Sequence, residues 1–337
     1  IVTSFSTRLS DNTRNHALSL KSAQEGICLL KNKNNLLPLN HHIHSIAVIG
    51  MLAKSEYTGD YSPIEATGIS ILDGLKSRGA DRIKINYAEG YSKDTLTNLK
   101  WGKTLIAKAK QASLSSDISI VVLGEDESTD GENKDRADLN LPKQQIDLIH
   151  ALSETGRPVV AILLNGRPLK IGWIAQHIPA IIEGWYGGDS TGVAIADVLL
   201  GNVNPSGKLP MTFPRSVGQL PFYYDHKPSS WHLYVDEKNT PLFPFGLGLS
   251  YTTFQYSKLE VYPEKVPDSG TVHISLNVRN TGKIRGTEVV QLYVREEESS
   301  VTTPVEALKG FQRITLNPQE SKQINFIINP HQLAIWN

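Results

Sequence analysis

Strand-like and helix-like patterns alternate along the chain from residue 13 to residue 250, and this alternation restricts the possible folds more than any other feature. Short apolar runs such as SIAVIG and ISIVVLGE are typical of strands buried on both faces. A helix is predicted for residues 13–32, ahead of these runs. Longer amphipathic segments separate the runs, among them a helix predicted for residues 142–155. Such chains form a mostly parallel sheet with helices on both faces. Five or six strand-like runs are present, fewer than the eight of a closed barrel, so an open sheet is predicted.

The pattern changes twice after this α/β region. Residues 202–255 are rich in Pro, Gly and aromatic side chains, which predicts an ordered connector without regular elements. From residue 256 onward the apolar residues recur every second position, as they do in a half-buried β-strand. The clearest example is the series Val272, Ile274, Leu276 and Val278. We therefore predict an α/β domain over 1–201, a connector over 202–255 and an all-β sandwich over 256–337.

Charge and hydropathy exclude several classes of partner. Lys plus Arg and Asp plus Glu both number 34, which gives no reason to expect a nucleic-acid or anionic-membrane partner. We find neither an apolar run long enough to span a membrane nor the order of features that marks a signal peptide.

The sequence ends in apolar residues just after a strand-like run, so we expect the β domain to be truncated at its C-terminus.

A long acidic segment follows the predicted strand at 118–124. It has about 16 residues, where loops between a strand and a helix usually have 2 to 6. It leaves the carboxyl end of a central-looking strand, which is where open α/β sheets bind ligands. Crowded carboxyl groups raise one another's pKa, so one of them could act as a general acid. The alternative is a solvated loop whose charges favour solubility and the dipole of the following helix.

Metal and phosphate patterns in the sequence are incomplete. Residues 126–137 begin like a calcium-binding EF-hand loop, but Ala137 stands where that loop needs a bidentate Glu. The segment GNVNPSGKLP has the wrong spacing for a phosphate-binding loop, and Leu209 replaces the Ser or Thr that would bind magnesium. We predict neither a metal nor a cofactor.

Taken together, several motifs resemble the C-terminal portion of glycoside hydrolase family 3, the family of β-glucosidases and β-xylosidases. They run in the family's order over nearly the whole chain, and the sequence is most similar to the bacterial periplasmic-type β-glucosidases. The motifs include SAQEGICLLKNKNNLLPL, DRADLNLPKQQIDLI, NPSGKLPMTFPRS and PFGLGLSYTTF. The resemblance implies an (α/β)6 sandwich followed by a fibronectin type III-like domain.

The resemblance also implies retaining hydrolysis of a terminal β-linked sugar by two carboxyl groups. One is a glutamic acid from the acidic loop, here assigned to Glu132, with Glu125 and Glu127 as alternatives. The other is an aspartate on an N-terminal (β/α)8 barrel, for which these 337 residues leave no room. We therefore expect the barrel in the same protein or in a companion chain, and we expect this chain alone to be inactive.

The remaining expectations concern the substrate and an alternative function. Asp60, Tyr61 and Arg136 are expected to contact an oligosaccharide or β-glucoside, with β-xylosides as the next substrate class. The resemblance favours a periplasmic or extracellular location. The alternative is a non-catalytic carbohydrate-binding or scaffold module that lacks the barrel in nature.

Overall fold

The computed structural model of the protein describes residues 13–56, 58–59, 62, 68–79, 82–92, 99–228 and 233–334. These residues belong to two compact units, Ile1–Gly207 and Lys208–Asn337. The three-part division into domains and a connector stays a prediction.

The first unit is built on one six-stranded sheet. Its strands are β1 (Cys28–Asn32), β2 (Ser45–Ile49), β3 (Lys84–Ala88), β4 (Ile118–Gly124), β5 (Val159–Leu164) and β6 (Ala180–Glu183). They lie in the order β1-β6-β5-β4-β2-β3. All neighbours pair in parallel except β1, which is antiparallel to β6. The predicted open and mostly parallel sheet is confirmed.

Helices flank this sheet. They are α1 (Thr13–Gly26), α2 (Ile71–Gly79), α3 (Leu99–Leu114), α4 (Lys143–Ser153), α5 (Gly172–His177) and α6 (Thr191–Leu199). Two packed groups result, with α1 and α2 against α6 and with α3 against α4. Every residue of β4 and β5 is buried, so both faces of the sheet are covered, which explains why their sequences are continuously apolar.

One segment differs from its predicted structure. Residues 27–32 are predicted to be the end of the first helix, but the helix stops at Gly26 and β1 follows. A short apolar run fits a helix and a strand equally well, and here the open edge of β6 accepts the run as a strand. Cys28 and Leu29 are fully buried there.

The second unit contains two antiparallel sheets. Its strands are β7 (Phe254–Tyr262), β8 (Val272–Asn280), β9 (Gly286–Val294), β10 (Ala307–Leu316) and β11 (Ser321–Ile328), and a short helix α7 (Pro330–Leu333) follows. The sheets have the orders β10-β9 and β11-β8-β7. Alternate residues such as Ile274, Val278 and Ile324 point into a shared core, as the period of two predicts.

Residues 208–228 and 233–253 of this unit have few regular elements, but contacts between their side chains and backbone hold them in place. Phe213 is fully buried and pairs with Phe243 in an isolated bridge. The Arg215 side chain donates to the backbone carbonyl oxygens of Thr240 and Pro241, at 2.9 and 3.1 Å. Buried aromatic rings and such side-chain bonds replace the regular backbone ladders here.

No helix in the described part of the chain combines the length and apolar character needed to cross a membrane.

Candidate functional site

The acidic loop, residues 125–142, joins the carboxyl end of β4 to helix α4. The Gln145 side chain joins the two ends of the loop through Gly124. Its amide oxygen accepts from the Gly124 N–H at 2.8 Å, and its amide nitrogen donates to the Gly124 carbonyl oxygen at 2.9 Å. Farther along, the Lys170 N–H donates to the Leu139 carbonyl at 2.8 Å. The loop is therefore anchored at its base and along its return to the helix.

Gly124 is required where β4 ends. Its φ is +137°, and a Cβ at this position would lie 1.9 Å from the Leu164 carbonyl oxygen of β5. Only glycine tolerates both the backbone conformation and the close approach. The turn at Gly124 is therefore fixed by the sheet itself, and it directs the next residue, Glu125, back into the protein.

Glu125 is the buried anchor of the loop. Its side chain has no exposed surface, and its two oxygens face two arginines: Arg136 Nη1 at 2.8 Å and Arg167 Nε at 3.2 Å. Burial raises the pKa of the Glu125 carboxyl, while the hydrogen bond from Arg136 and the charge of Arg167 oppose this increase. Arg136 also donates to the Asn140 carbonyl at 2.6 Å. Glu125 thus links the start of the loop to its end.

Arg167 connects the loop to the residues that follow β5. Besides facing Glu125, it forms an ion pair with Asp130 at 2.6 Å and donates to the carbonyl oxygens of Thr129 and Lys134, at 3.3 and 3.1 Å. Gly166 makes room for this contact, because a Cβ there would lie 2.5 Å from an Asp130 carboxyl oxygen. One largely buried guanidinium therefore fixes both sides of the loop tip.

Glu132 lies at that tip. The preceding Gly131 has a φ of +137° and the following Asn133 a φ of +60°, so the backbone turns sharply on both sides of it. The Lys134 ammonium group donates to the Asp130 carbonyl oxygen at 3.3 Å and closes the turn. The side chain of Glu132 is exposed, on a backbone that its neighbours hold in place.

The structure places the other predicted site residues as follows. Arg136 and Glu125 come together as an ion pair, so the Arg136 guanidinium is engaged within the loop. Glu127 is exposed, like Glu132. Asp60 and Tyr61 lie outside the described residues. The roles expected for all of these residues stay predictions.

A second buried carboxyl group lies at the same edge of the sheet and was not expected from the sequence. Glu183, the last residue of β6, is fully buried and accepts hydrogen bonds from the Trp185 N–H at 3.0 Å and the Asn165 amide at 3.3 Å. Trp185 has a φ of +53°, which is unusual for a bulky residue. The Asn165 amide also bonds the Arg167 carbonyl at 2.9 Å, which links Glu183 to the acidic loop. The available signal was a charged residue ending an otherwise apolar run, AIIE.

Glu183 should make the stability of the folded state depend on pH. Burial raises the pKa of this carboxyl to about 8, although the Trp185 N–H and Asn165 oppose the increase. The folded state therefore keeps a proton that the unfolded chain releases above about pH 4.5. The resulting stabilisation is complete below that pH and is lost as the pH rises toward 8, with a slope of up to about 1.4 kcal/mol per pH unit.

The Glu183→Gln variant stays neutral at every pH. Its free energy of unfolding should therefore lose the part of the pH dependence that Glu183 causes. Urea unfolding at pH 5 to 8 measures it, with Glu127→Gln as an exposed control from the same unit. If the free energy of unfolding changes equally with pH in the wild type and in Glu183→Gln, the prediction is contradicted.

No three or more His, Cys, Asp or Glu side chains among the described residues come together as metal ligands would. The described site instead holds carboxyl groups whose surroundings differ. Glu125 and Glu183 are buried, whereas Glu132 and Glu127 are open to solvent. Such an arrangement is suited to proton transfer by an exposed carboxyl group on a fixed backbone.

Comparison with known proteins identifies the family. Residues 27–251 match the glycosyl hydrolase family 3 C-terminal domain, and residues 288–337 match a fibronectin type III-like domain. The chain belongs to glycosyl hydrolase family 3. The family and the domain pair expected from the sequence motifs are therefore confirmed.

The individual relatives are β-glycosidases. A β-xylosidase of Formosa agariphila is 44% identical over 341 residues, which cover 97% of this chain and 46% of that protein. The periplasmic β-glucosidase of Salmonella typhimurium is 39% identical over 345 residues, which cover 94% of this chain and 45% of that protein. This chain thus spans about half the length of these curated relatives.

Solved structures agree in fold. A β-glucosidase from Erythrobacter marinus superposes with a TM-score of 0.91 at 36% identity, over 97% of this chain and 47% of that one. A β-glucosidase from Listeria innocua, solved in complex with glucose, gives 0.87 at 30% identity, over 97% of this chain and 46% of that one.

Proposed function

We propose that this chain is the part of a retaining, exo-acting β-glycosidase that supplies the general acid/base, Glu132, and part of the sugar-binding cleft. One observation carries the proposal: the exposed carboxyl group of Glu132 lies on a sharp turn, held by neighbouring residues, at the edge of the sheet where the parallel strands have their carboxyl ends. Ligands of open α/β sheets bind at that edge. Membership in family 3 supports the reaction class.

The surroundings of the three candidate carboxyl groups favour Glu132. Glu125 faces Arg136 and Arg167 and has no exposed surface, so we assign it a role in holding the loop. Glu127 is exposed but precedes the part of the loop that Arg167 fixes. Precise placement matters, because a proton donor must stay within hydrogen-bond reach of the leaving oxygen.

The chemistry assigned to Glu132 has two steps. As the glycosidic bond breaks, its carboxyl proton passes to the leaving oxygen while the electron pair of that bond remains on the same oxygen. The resulting carboxylate then takes a proton from the water that attacks the glycosyl-enzyme intermediate, which restores the acid. The nucleophilic carboxylate must lie about 5 to 5.5 Å from Glu132. We propose that it comes from a (β/α)8 barrel in the same or a companion chain.

This division of labour predicts the activity of the chain alone. The 337-residue chain should hydrolyse 4-nitrophenyl β-D-glucoside no faster than the uncatalysed background, because it holds one carboxyl group of the pair. The complete protein should hydrolyse it and release the β-anomer first, as proton NMR can show. Turnover by the chain alone at the rate of the complete protein would overturn the proposal, as would release of the α-anomer first.

The substrate and the location follow the relatives' names. β-Glucosides are proposed first and β-xylosides second, since the relatives include enzymes named for each. The ratio of kcat/KM values for the 4-nitrophenyl glucoside and xyloside distinguishes them. We propose a periplasmic location by analogy with the Salmonella typhimurium relative. Lack of hydrolysis of any β-glycoside by the complete protein, together with saccharide binding, would favour a non-catalytic binding module instead.

A further inference from the structure

One buried amide group joins Glu183 to the backbone of Arg167. Glu183 ends β6, and Asn165 directly follows β5, the neighbouring strand. Both residues are 0% exposed. The Asn165 Nδ2 donates to Glu183 Oε2 at 3.3 Å and to the Arg167 carbonyl oxygen at 2.9 Å. The amide therefore connects a buried carboxyl group to the residue whose side chain holds the acidic loop.

The hydrogen bonds around Glu183 fit its ionised form. Both carboxyl oxygens face donors, because Oε1 accepts from the Trp185 N–H at 3.0 Å and Oε2 accepts from Asn165. A neutral carboxyl group carries an O–H, which needs an acceptor. Burial raises the pKa of Glu183 to about 8, so the neutral form predominates below that pH. A neutral Glu183 therefore requires a different arrangement of its partners.

Asn165 contains the acceptor that a neutral Glu183 needs. Its Oδ1 is buried and has no hydrogen-bond partner among the described residues, which is unfavourable for a buried polar atom. A half-turn of the amide exchanges Oδ1 and Nδ2 and places Oδ1 where Nδ2 now lies, 3.3 Å from Glu183 Oε2. The Trp185 N–H belongs to the backbone and has no such alternative. The Asn165 amide is therefore the partner that can adjust to the proton.

The same half-turn breaks the second bond of the amide. The Arg167 carbonyl oxygen would then face Oδ1 and lose its donor. The Arg167 side chain bonds the carbonyl oxygens of Thr129 and Lys134 and forms an ion pair with Asp130. Because the carbonyl and the guanidinium belong to one residue, the orientation of the Asn165 amide affects how firmly the loop tip is held.

Charged and titratable groups on the elements around β6 are engaged elsewhere. Cys28 of β1 is paired with Glu183 in the sheet, and its thiol donates to a backbone carbonyl at 3.5 Å. Arg167, after β5, pairs with carboxylates of the acidic loop. Asp189 and Asp197, after β6, accept from Ser190 and Arg78 respectively. Within the described part of the chain, no charged side chain is among the groups that shift the pKa of Glu183.

We propose that Asn165 is a positioning residue for the acidic loop, and that its amide takes one of two orientations according to whether Glu183 carries a proton. With Glu183 ionised, the amide donates to the Arg167 carbonyl oxygen, as in the structure. With Glu183 neutral, Oδ1 accepts from the Glu183 O–H and the Arg167 carbonyl is released. The proton exchanges with solvent, and no other bond changes. Only the relevance of this coupling to Glu132 rests on the proposed function.

Carbon-13 NMR of the 337-residue chain, labelled in Asn, Glu and Arg, tests the proposal from about pH 6 to about pH 10, on both sides of the Glu183 pKa of about 8. As the pH falls, the Asn165 side-chain carbonyl carbon should move downfield, because Oδ1 gains a donor. The Arg167 backbone carbonyl carbon should move upfield, because it loses one. Both signals should share the midpoint of the Glu183 carboxyl carbon. The Asn32 side chain, bonded to the Leu37 backbone through both Oδ1 and Nδ2, is the control and should not shift.

Two variants distinguish an effect passed through Asn165 from a direct effect of the Glu183 charge. In Asn165→Leu the Glu183 carboxyl should still titrate, at a higher pH because the amide that lowers its pKa is gone. The Arg167 signal should no longer follow that titration. In Glu183→Gln, which stays neutral, the Asn165 and Arg167 signals should remain at their low-pH positions throughout.

An Asn165 signal that stays constant while Glu183 titrates would overturn the proposal. An Arg167 signal that follows Glu183 equally in the wild type and in Asn165→Leu would do the same. If Asn165→Leu does not fold, Glu183→Gln decides, because Asn165 and Arg167 signals at their high-pH positions in that variant would contradict the proposal. None of these measurements involves hydrolysis, so the coupling and the role of Glu132 can fail separately.

Discussion

The Glu132→Gln variant of the complete protein is expected to hydrolyse 4-nitrophenyl β-D-glucoside roughly 10²- to 10⁴-fold more slowly than the wild type, the usual contribution of general acid–base catalysis. Glutamine keeps the size of the side chain but can neither donate the proton to the leaving oxygen nor activate water. Added azide needs no general base to attack the glycosyl-enzyme intermediate, so it should restore part of the rate. The product should then be a β-glycosyl azide.

The structure offers a matched control for this experiment. Glu127 belongs to the same acidic loop and is exposed like Glu132, so Glu127→Gln makes the same chemical change nearby. Its turnover should stay within about twofold of the wild type, as expected for a group outside the reaction. The pH profile should lose its alkaline limb in Glu132→Gln alone. Unchanged turnover in Glu132→Gln, or azide rescue in Glu127→Gln instead, would reject the assignment of Glu132.

Arg167→Leu is expected to lower the free energy of unfolding by about 3–5 kcal/mol, the typical cost of removing one partner of a buried ion pair. The Arg167 side chain is 22% exposed and faces Glu125, which has no exposed surface. Its loss leaves the Glu125 carboxylate with Arg136 alone and the Asp130 carboxylate without its ion pair. In urea unfolding the variant should have a lower midpoint concentration of urea, with the same dependence of the free energy of unfolding on urea concentration.

Arg157→Leu is the control for this prediction. Arg157 is an exposed arginine whose side chain donates to the Leu114 carbonyl oxygen at 3.2 Å, so its replacement should change stability by less than about 0.5 kcal/mol. The double variant Glu125→Leu with Arg167→Leu should be more stable than Arg167→Leu alone, because it removes the stranded charge. Equal midpoints for the two single arginine variants would show that the buried pair does not stabilise the loop.

Arg167→Leu should also affect catalysis under conditions where the variant stays folded. The guanidinium bonds the carbonyl oxygens of Thr129 and Lys134, on either side of Glu132. Without these bonds the carboxyl group of Glu132 should sample more positions, which should lower kcat more than it raises KM. Azide should then restore less of the lost rate than in Glu132→Gln, because the donor is displaced and not absent.

Local patterns predicted much of the α/β unit. The continuous apolar runs of β4 and β5 indicated strands buried on both faces, and both strands are buried throughout. The length of the acidic loop and its place after β4 indicated a ligand-binding edge, and the structure places Glu125 and Glu183 at the carboxyl ends of β4 and β6 along that edge. The run at Cys28–Asn32 was assigned to the wrong element, because its apolar period is too short to distinguish a helix from a strand.

The sequence by itself determined the open parallel sheet, the β region after it and the loop that carries Glu132, since apolar periodicity and turn residues act over a few neighbouring positions. Only the tertiary structure decided which carboxyl groups are buried. The ion pair of Glu125 with Arg167 exists because β4 and β5 are neighbours in the sheet. Strand order is a non-local property, so the contacts that it creates leave no periodic trace in the chain.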